Sequence, residues 1–231
     1  PNNQMTKFNR TFVWAGGAMF VASLAYCAFS YLVRWSAAGD GGGWGTIAFD
    51  ALLVSVFALH HSLFAREGAK RWLARNVPAP LLRSVYVWIA SLLLILTCAV
   101  WRPIGGQVFH VSGLRVWLHA AVQLLGVWVI ARAVHGLDPL ELAGIREQSA
   151  GTGLQASGPY RFVRHPLYLG WILIVFGAAN MTGDRMTFAL LTTIYLVIAI
   201  PWEERALVST FGDQYLRYQR LVRWRVIPFI Y

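Results

Sequence analysis

The sequence predicts an all-α integral membrane protein of about six transmembrane helices, with a helical hairpin late in the chain and an amphipathic C-terminal helix. Three observations predict this. Of 231 residues, 57% are hydrophobic and only 13% charged, and the mean hydropathy is positive, a balance outside that of ordinary soluble domains. Apolar runs of spanning or near-spanning length fall at 11–33, 46–65, 84–101, 114–134, 167–183 and 186–202. Lys and Arg are distributed unequally between the two sets of connections.

The first run is too long for a signal-peptide core and no small-residue cleavage site follows it, so it reads as a retained span. The glycine-rich turn from Gly39 to Gly45 leads into the second. Between the second and third, Arg66 to Arg83 mixes basic residues with Trp72, Leu73, Val77, Leu81 and Leu82 and is broken by Pro78 and Pro80, an interfacial amphipathic segment. Arg115, His119 and Gln123 recur at helical spacing on the fourth span and read as a packing stripe. The fifth and sixth spans form the short hairpin. After them, Leu207, Phe211, Tyr215, Tyr218 and Val222 line one face of a further helix, which should pack back onto that hairpin.

Sixteen of the twenty Lys and Arg fall on one side of this map, among them Lys7, Arg10, the Arg66–Arg83 group, Arg132, Arg146, Arg161, Arg164 and the arginines from Arg205 to Arg225. The other side has Arg34, Arg102, Arg115 and Arg185. The positive-inside rule then places both termini in the cytoplasm and Gly39–Gly45 outside. It also accounts for the net charge of +10 without a nucleic-acid partner. Cys27 and Cys98 lie within spans at no metal-ligand or redox spacing, so neither a disulfide nor a metal site is expected. With no repeat, low-complexity tract or long linker, residues 1–231 read as a single membrane domain.

The candidate site is built from two blocks. In GPYRFVRHPLYLGW, residues 158–171, Gly158-Pro159 breaks the chain. Pro166 disfavours a helical conformation at His165 while itself suiting the first turn of the next helix. His165 is thereby set at a helix N-terminus, where backbone donors favour an anion, and Arg161 and Arg164 add positive charge. Glu203 and Glu204, at the end of the sixth span, bring the opposite sign close if the hairpin packs tightly. Such a bipolar pocket suits a ligand with a carboxylate, an ammonium, a ribose and a ring, and S-adenosylmethionine has all four. An isolated Arg or Glu at a span end more often marks only the membrane surface. Here the concentration of Tyr160, Arg164, His165, Pro166, Tyr168 and Gly170, opposite a carboxylate pair, favours a binding site.

Gly158, Tyr160, Arg164, His165, Pro166, Tyr168 and Gly170, followed by Glu203, Glu204, Leu207, Phe211, Gly212, Tyr215 and Tyr218, resemble the motifs of the isoprenylcysteine carboxyl methyltransferase and phospholipid methyltransferase superfamily. The resemblance covers roughly residues 140–231. It implies an S-adenosylmethionine-dependent membrane methyltransferase whose Arg-His-Pro region and glutamate pair contribute to the cofactor pocket, so that Tyr160, Arg164, His165, Pro166, Tyr168, Gly170, Glu203, Glu204, Tyr215 and Tyr218 become cofactor-binding candidates. It divides the domain into acceptor-side helices, 1–134, and a methyltransferase core, 135–231. The chain departs from the family where Val222 is followed by Arg223 with only Pro228 beyond, and where Ile200-Pro201-Trp202 precedes the glutamates; both departures disfavour prenylcysteine as acceptor.

In the N-terminal half, His61-Ser62, Ala65-Arg66, Lys70, Arg83-Ser84, Tyr86-Val87 and Trp101-Arg102-Pro103, with Gly144 and Arg146, resemble the bacterial membrane thiol methyltransferases, and are similar also to NnrU-like membrane proteins. His60 stands where a glutamine is usual in the thiol enzymes. This second resemblance implies a small thiol or lipid-like acceptor and a bacterial inner-membrane location.

A sulfonium donor is already activated, so an enzyme supplies in-line positioning, exclusion of water and a route for a thiol proton. Candidate catalytic residues are Arg164, which can hold an anion, His165, which near neutrality can act as base, and His61, which by spacing shares a helix face with Asp50, Val54 and Phe57. Two other classes stay open: an NADPH-dependent membrane reductase and a non-enzymatic sensor or assembly protein. A soluble-type Gly-x-Gly-x-x-Gly after a strand is absent from the sequence.

Overall fold

A computed structural model describes residues 6–64, 67–135, 138–146 and 153–231. Ala65 and Arg66 of the N-terminal resemblance lie outside these residues. The helices are α1 (Lys7–Leu32), α2 (Trp44–Phe64), α3 (Glu67–Leu73), α4 (Leu82–Ala99), α5 (Arg115–Val134), the single turn α6 (Pro139–Leu142), α7 (Pro166–Phe176), α8 (Gly183–Phe211) and α9 (Asp213–Leu221). Strands β1 (Gln107–His110) and β2 (Asn180–Thr182) pair antiparallel.

The protein is an all-α integral membrane protein apart from that ribbon. Among the described residues five helices are long and apolar enough to span a bilayer: α1, α2, α4, α5 and α8. The expected span at 167–183 is instead α7, which stops at Gly177. Its 11 residues cover roughly 16 Å, about half of a bilayer's hydrocarbon core. The residues after it turn into β2, a long-range pairing with no local sequence signature. In contrast α8 runs well past 202, its 29 residues carrying Glu203 and Glu204 without a break. Pro201 lies inside it and removes one backbone donor just before the glutamate pair. Trp14, Trp44, Trp117, Leu118, Leu124 and Trp128 are more than half exposed, an outer surface suited to lipid.

The described residues fall into two compact units. One holds α1, α2, α3, α4 and α6. Here α1 packs on α4, and Trp88 Nε1 donates to the Phe12 carbonyl at 3.1 Å. A Cβ at Gly16 would lie 2.8 Å from that same Nε1, so the close approach needs glycine. Cys27 and Cys98, distant in sequence, are hydrogen-bonded neighbours in this unit. The buried Asp50 carboxylate accepts the Arg102 amide at 3.0 Å.

The other unit holds α5, α7, α8, α9 and the ribbon. α5 and α7 meet at Gly126 and Gly170, where a Cβ on Gly170 would lie 2.7 Å from the Gly126 carbonyl oxygen. The Arg115–His119–Gln123 stripe serves this packing: His119 Nδ1 lies 3.1 Å from the Gly177 carbonyl, and Gln123 Nε2 donates to the Ile174 carbonyl at 2.9 Å. Both satisfy groups that the end of α7 leaves open. α7 is held to α8 by the bond from Trp171 Nε1 to Thr192 Oγ1, 3.0 Å. At the start of α8, Asp184 accepts the amides of Ile104 and Gly105.

Candidate functional site

The site grows from three backbone breaks. Gly158, at φ +61°, opens a 3-10 turn over Gly158–Arg161. His165, at φ −122° and ψ 65°, is the non-helical residue before Pro166, which takes the first position of α7, as the proline requires. Gly212, at φ 52°, separates α8 from α9. The positive φ at Gly212 folds the expected apolar stripe onto itself: Leu207 and Phe211 on α8 pack with Tyr215, Tyr218 and Val222 of α9 and the following residue, together with Leu154 and Tyr160.

The chain beyond α9 runs back along the Arg-His-Pro motif. Arg164 N donates to the Trp224 carbonyl at 2.9 Å and His165 N to that of Arg225 at 2.7 Å. Arg164 Nη1 donates to the carbonyls of Val222 and Arg223 at 2.8 and 2.9 Å. Its Nε donates to Glu204 Oε1 at 2.6 Å.

Glu204 is the hub of the cluster. Besides Arg164 it meets His165 Nε2 at 3.4 Å, Gln219 Nε2 at 3.3 Å and Arg225 Nε at 3.5 Å. Its side chain is 7% exposed and that of Arg164 8%. Glu203, next in the chain but turned by about 100° around the helix, is 47% exposed. It accepts the Tyr168 hydroxyl and lies 3.4 Å from His165 Nδ1. The Tyr168 ring stacks on the imidazole at 5.2 Å.

His165 therefore faces a carboxylate at each ring nitrogen, a geometry that uses both as donors, as only the imidazolium can. Burial pulls its pKa down, but Glu203 and Glu204 outweigh that and the net shift is upward. The Tyr160 hydroxyl is pushed up by burial and then by Glu203. Burial and Glu204 push Tyr215 to about 12, so both phenols stay protonated. Tyr218 donates to the Tyr160 carbonyl at 2.7 Å. The buried Tyr215 hydroxyl has no hydrogen-bond partner among the described residues.

Beside this cluster a groove of about 360 Å³ is lined by Pro201, Glu204, Arg205, Val208, Gln219 and Arg225, at the lower end of the range of small-molecule sites. Its cationic and carboxylate walls, with the half-exposed Glu203 and the orphaned Tyr215 hydroxyl nearby, fit a ligand that carries both a carboxylate and an ammonium. Among the described residues no cluster of three His, Cys, Asp or Glu has metal-binding geometry.

Tyr160, Arg164, His165, Pro166, Tyr168, Glu203, Glu204, Tyr215 and Tyr218 thus belong to one neighbourhood. Gly170, from the same motif, sits against Gly126 of α5. His61 is in the other unit, its Nδ1 2.7 Å from the Tyr86 hydroxyl. It is exposed, whereas Asp50 and Val54, on the same stripe, are buried. The sequence alone left Gln219 and Arg225 unmarked. Arg225 had counted only as a topological charge, and nothing local ties either residue to Glu204 until Gly212 reverses the chain.

Residues 114–214 match the phospholipid methyltransferase family. The chain is 40% identical over 185 residues to methanethiol S-methyltransferase 2 of Bradyrhizobium diazoefficiens, covering 76% of this chain and 71% of that protein. It is 36% identical over 193 residues to methanethiol S-methyltransferase of Crocosphaera subtropica, covering 80% and 75%. Nurim of Danio rerio is 28% identical over 217 residues, covering 81% of this chain and 78% of that protein. No solved structure matches.

Proposed function

Because the chain belongs to the family of integral membrane methyltransferases that includes the methanethiol S-methyltransferases, we propose that it transfers a methyl group from S-adenosylmethionine to a small thiol, with methanethiol first among the candidates. The observation that carries this reading is the joining of Arg164, His165, Glu203 and Glu204 into one charged cluster beside a groove, in a chain whose relatives at 34–40% identity bear that activity's name.

When bound, the cofactor supplies an activated methyl on a sulfonium. In this reading Glu203 takes the ammonium, and Arg205 and Arg225, which line the groove, take the carboxylate. Tyr160, Tyr168, Tyr215 and Tyr218 supply aromatic faces and hydroxyls. Arg164, His165 and Glu204 form the frame: each is buried and engaged by the others, so their work is to hold the C-terminal segment over the pocket. Pro166 fixes where α7 starts and Gly170 how closely α7 approaches α5. Held as an imidazolium between two carboxylates, with its pKa raised, His165 has no free nitrogen to take a proton and serves the frame. In this reading the thiol releases its proton to water as the methyl arrives. His61 is retained as an acceptor-side residue. The cofactor enters from the cytoplasm, on the side that carries the sixteen basic residues, and the bacterial inner membrane is the proposed location.

Purified protein incubated with S-adenosylmethionine and small thiols, phosphatidylethanolamine or prenylcysteine analogues, followed by mass spectrometry, tests class and acceptor together. A methylated thiol is the expected product. Methylation of the lipid alone would replace the thiol with the acceptor suggested by the phospholipid methyltransferase match.

A further inference from the structure

Beyond α9 the chain makes a compact turn. The amides of Val226 and Ile227 both donate to the Tyr231 carbonyl, at 2.8 and 3.1 Å, and Tyr231 N donates back to Ile227 at 3.0 Å. Inside the turn Phe229 adopts φ 67°, a left-handed conformation uncommon for a bulky aromatic and kept only where the surroundings impose it. The result is display: Phe229 and Ile230 are 85% and 76% exposed, with Trp224 beside Phe229 at a ring distance of 5.5 Å.

Two more large apolar side chains stand out around the same clasp. Leu221 is 84% exposed and Phe162 71%. Leu221 directly precedes Val222, whose carbonyl Arg164 holds, and Phe162 is two residues before Arg164. Interleaved with these are the exposed arginines Arg161, Arg217, Arg220 and Arg223. Solvent-facing Phe, Ile and Leu among arginines, with a Trp at their edge, have the composition of a segment that lies in the headgroup layer of an anionic bilayer.

The depth agrees. About 20 helical residues cross the hydrocarbon core, so a crossing that begins where α8 does, at Gly183, ends near Glu203. The turn is tied to the helix there. Arg225 carries the tie: its Nη1 donates to the Tyr231 hydroxyl at 2.9 Å, its guanidinium lies 5.2 Å from the Tyr231 ring centroid, and its Nε reaches Glu204.

We propose that Phe162, Leu221 and the Trp224–Tyr231 turn form a membrane-surface anchor for anionic phospholipid, and that its seating holds Arg225 and the Arg164–Glu204 clasp in register with the cofactor groove. The second half of this inference rests on the methyl-donor reading above; the anchor itself does not.

The test uses the full chain in nanodiscs of phosphatidylcholine alone and with about one quarter phosphatidylglycerol. Cys27 and Cys98 are buried, so a maleimide fluorophore on Ile230→Cys reports the turn, with the unsubstituted chain labelled in parallel as background. The fluorophore should be quenched by headgroup-level spin-labelled lipid, and Arg220→Gln/Arg223→Gln should weaken the added quenching by phosphatidylglycerol by roughly fivefold per arginine. Phe229→Ser/Ile230→Ser, both exposed and so foldable, should weaken S-adenosylmethionine binding in phosphatidylglycerol discs with thermal stability retained. A fluorophore in water in both compositions overturns the anchor. A lipid-seated fluorophore with unchanged cofactor affinity in the double serine variant overturns the coupling. A seated fluorophore on a parent chain that binds no S-adenosylmethionine overturns the methyl-donor reading and leaves the anchor standing.

Discussion

Arg164 Nε lies 2.6 Å from Glu204 Oε1, both side chains more than nine-tenths buried, whereas Glu203, one residue away, is half exposed. Adjacent carboxylates thus sit in different environments. Removing one partner of a buried ion pair leaves a charge without compensation and costs about 3–5 kcal/mol. Glu204→Gln, which keeps the shape and one acceptor, should fall at or below the lower end of that range. Glu203→Gln, which loses a half-exposed partner of His165 and Tyr168, should lower Tm by less than Glu204→Gln yet weaken S-adenosylmethionine binding by about 1.5–3 kcal/mol, tenfold or more. Glu204→Gln should lower both. Calorimetric titration beside thermal unfolding separates the two, and an intact Tm in Glu204→Gln would show that the hub is not a structural frame.

The same cluster sets a pH dependence. His165 has its pKa raised above 6.5 in the folded protein by Glu203 and Glu204, against burial. The stabilisation is therefore complete below the unfolded value and is lost as pH rises through the folded one. Tm should decline as pH rises above 6.5 in the parent, and this decline should be flatter in His165→Gln. Equal slopes in both chains would remove His165 from the balance.

Tyr215 and Tyr218 make an internal control. The Tyr218 hydroxyl donates to the Tyr160 carbonyl, so Tyr218→Phe should cost about 1 kcal/mol. The Tyr215 hydroxyl is buried without a partner among the described residues. Removing an unsatisfied group is neutral or stabilising, so Tyr215→Phe should leave Tm unchanged or raise it while weakening cofactor binding, the hydroxyl's proposed use. Chemical denaturation of both variants measures the contrast.

Gly170 separates packing from ligand contact. A methyl there would press on the Gly126 carbonyl and Ile130, and such overpacking costs about 1–3 kcal/mol. Gly170→Ala should lower Tm, and its loss of cofactor affinity should be no larger than the unfolded fraction explains. A stable variant with abolished binding would return Gly170 to the pocket.

Much of this was legible in local chemistry. His165-Pro166 announces a helix start because proline fixes its own φ and pushes the preceding residue out of the helical region, and α7 begins at Pro166. The apolar stripe from Leu207 to Val222 announced the packing of the C-terminal segment, and the two charged motifs announced the meeting of Arg164 and His165 with the glutamate pair. What escaped was set by distance along the chain. The β1–β2 ribbon pairs Gln107–His110 with Asn180–Thr182, just beyond the end of α7 at Phe176. Gln219 and Arg225 reach Glu204 only because Gly212 turns the chain back. The Cys27–Cys98 contact joins two helices whose spacing in sequence says nothing about their packing.

His61 belongs to the unit of α1, α2 and α4, while every proposed cofactor residue belongs to the other. It is exposed, and Tyr86 fixes its ring through Nδ1 at 2.7 Å, with Phe57 at a ring distance of 6.0 Å. A histidine oriented in this way and exposed is proposed to act on the acceptor. Truncating an exposed side chain removes little packing and should cost at most about 0.5 kcal/mol of stability. His61→Ala should therefore keep its fold and its S-adenosylmethionine affinity, and lower turnover or change which thiol is preferred. Tyr86→Phe, which loses the bond that orients the ring, should shift acceptor KM in the same direction by a smaller factor. Steady-state kinetics across several thiols, with cofactor titrations on the same preparations, decides the matter: lost cofactor affinity in a folded His61→Ala, or unchanged turnover on every thiol, would show that His61 has no acceptor role.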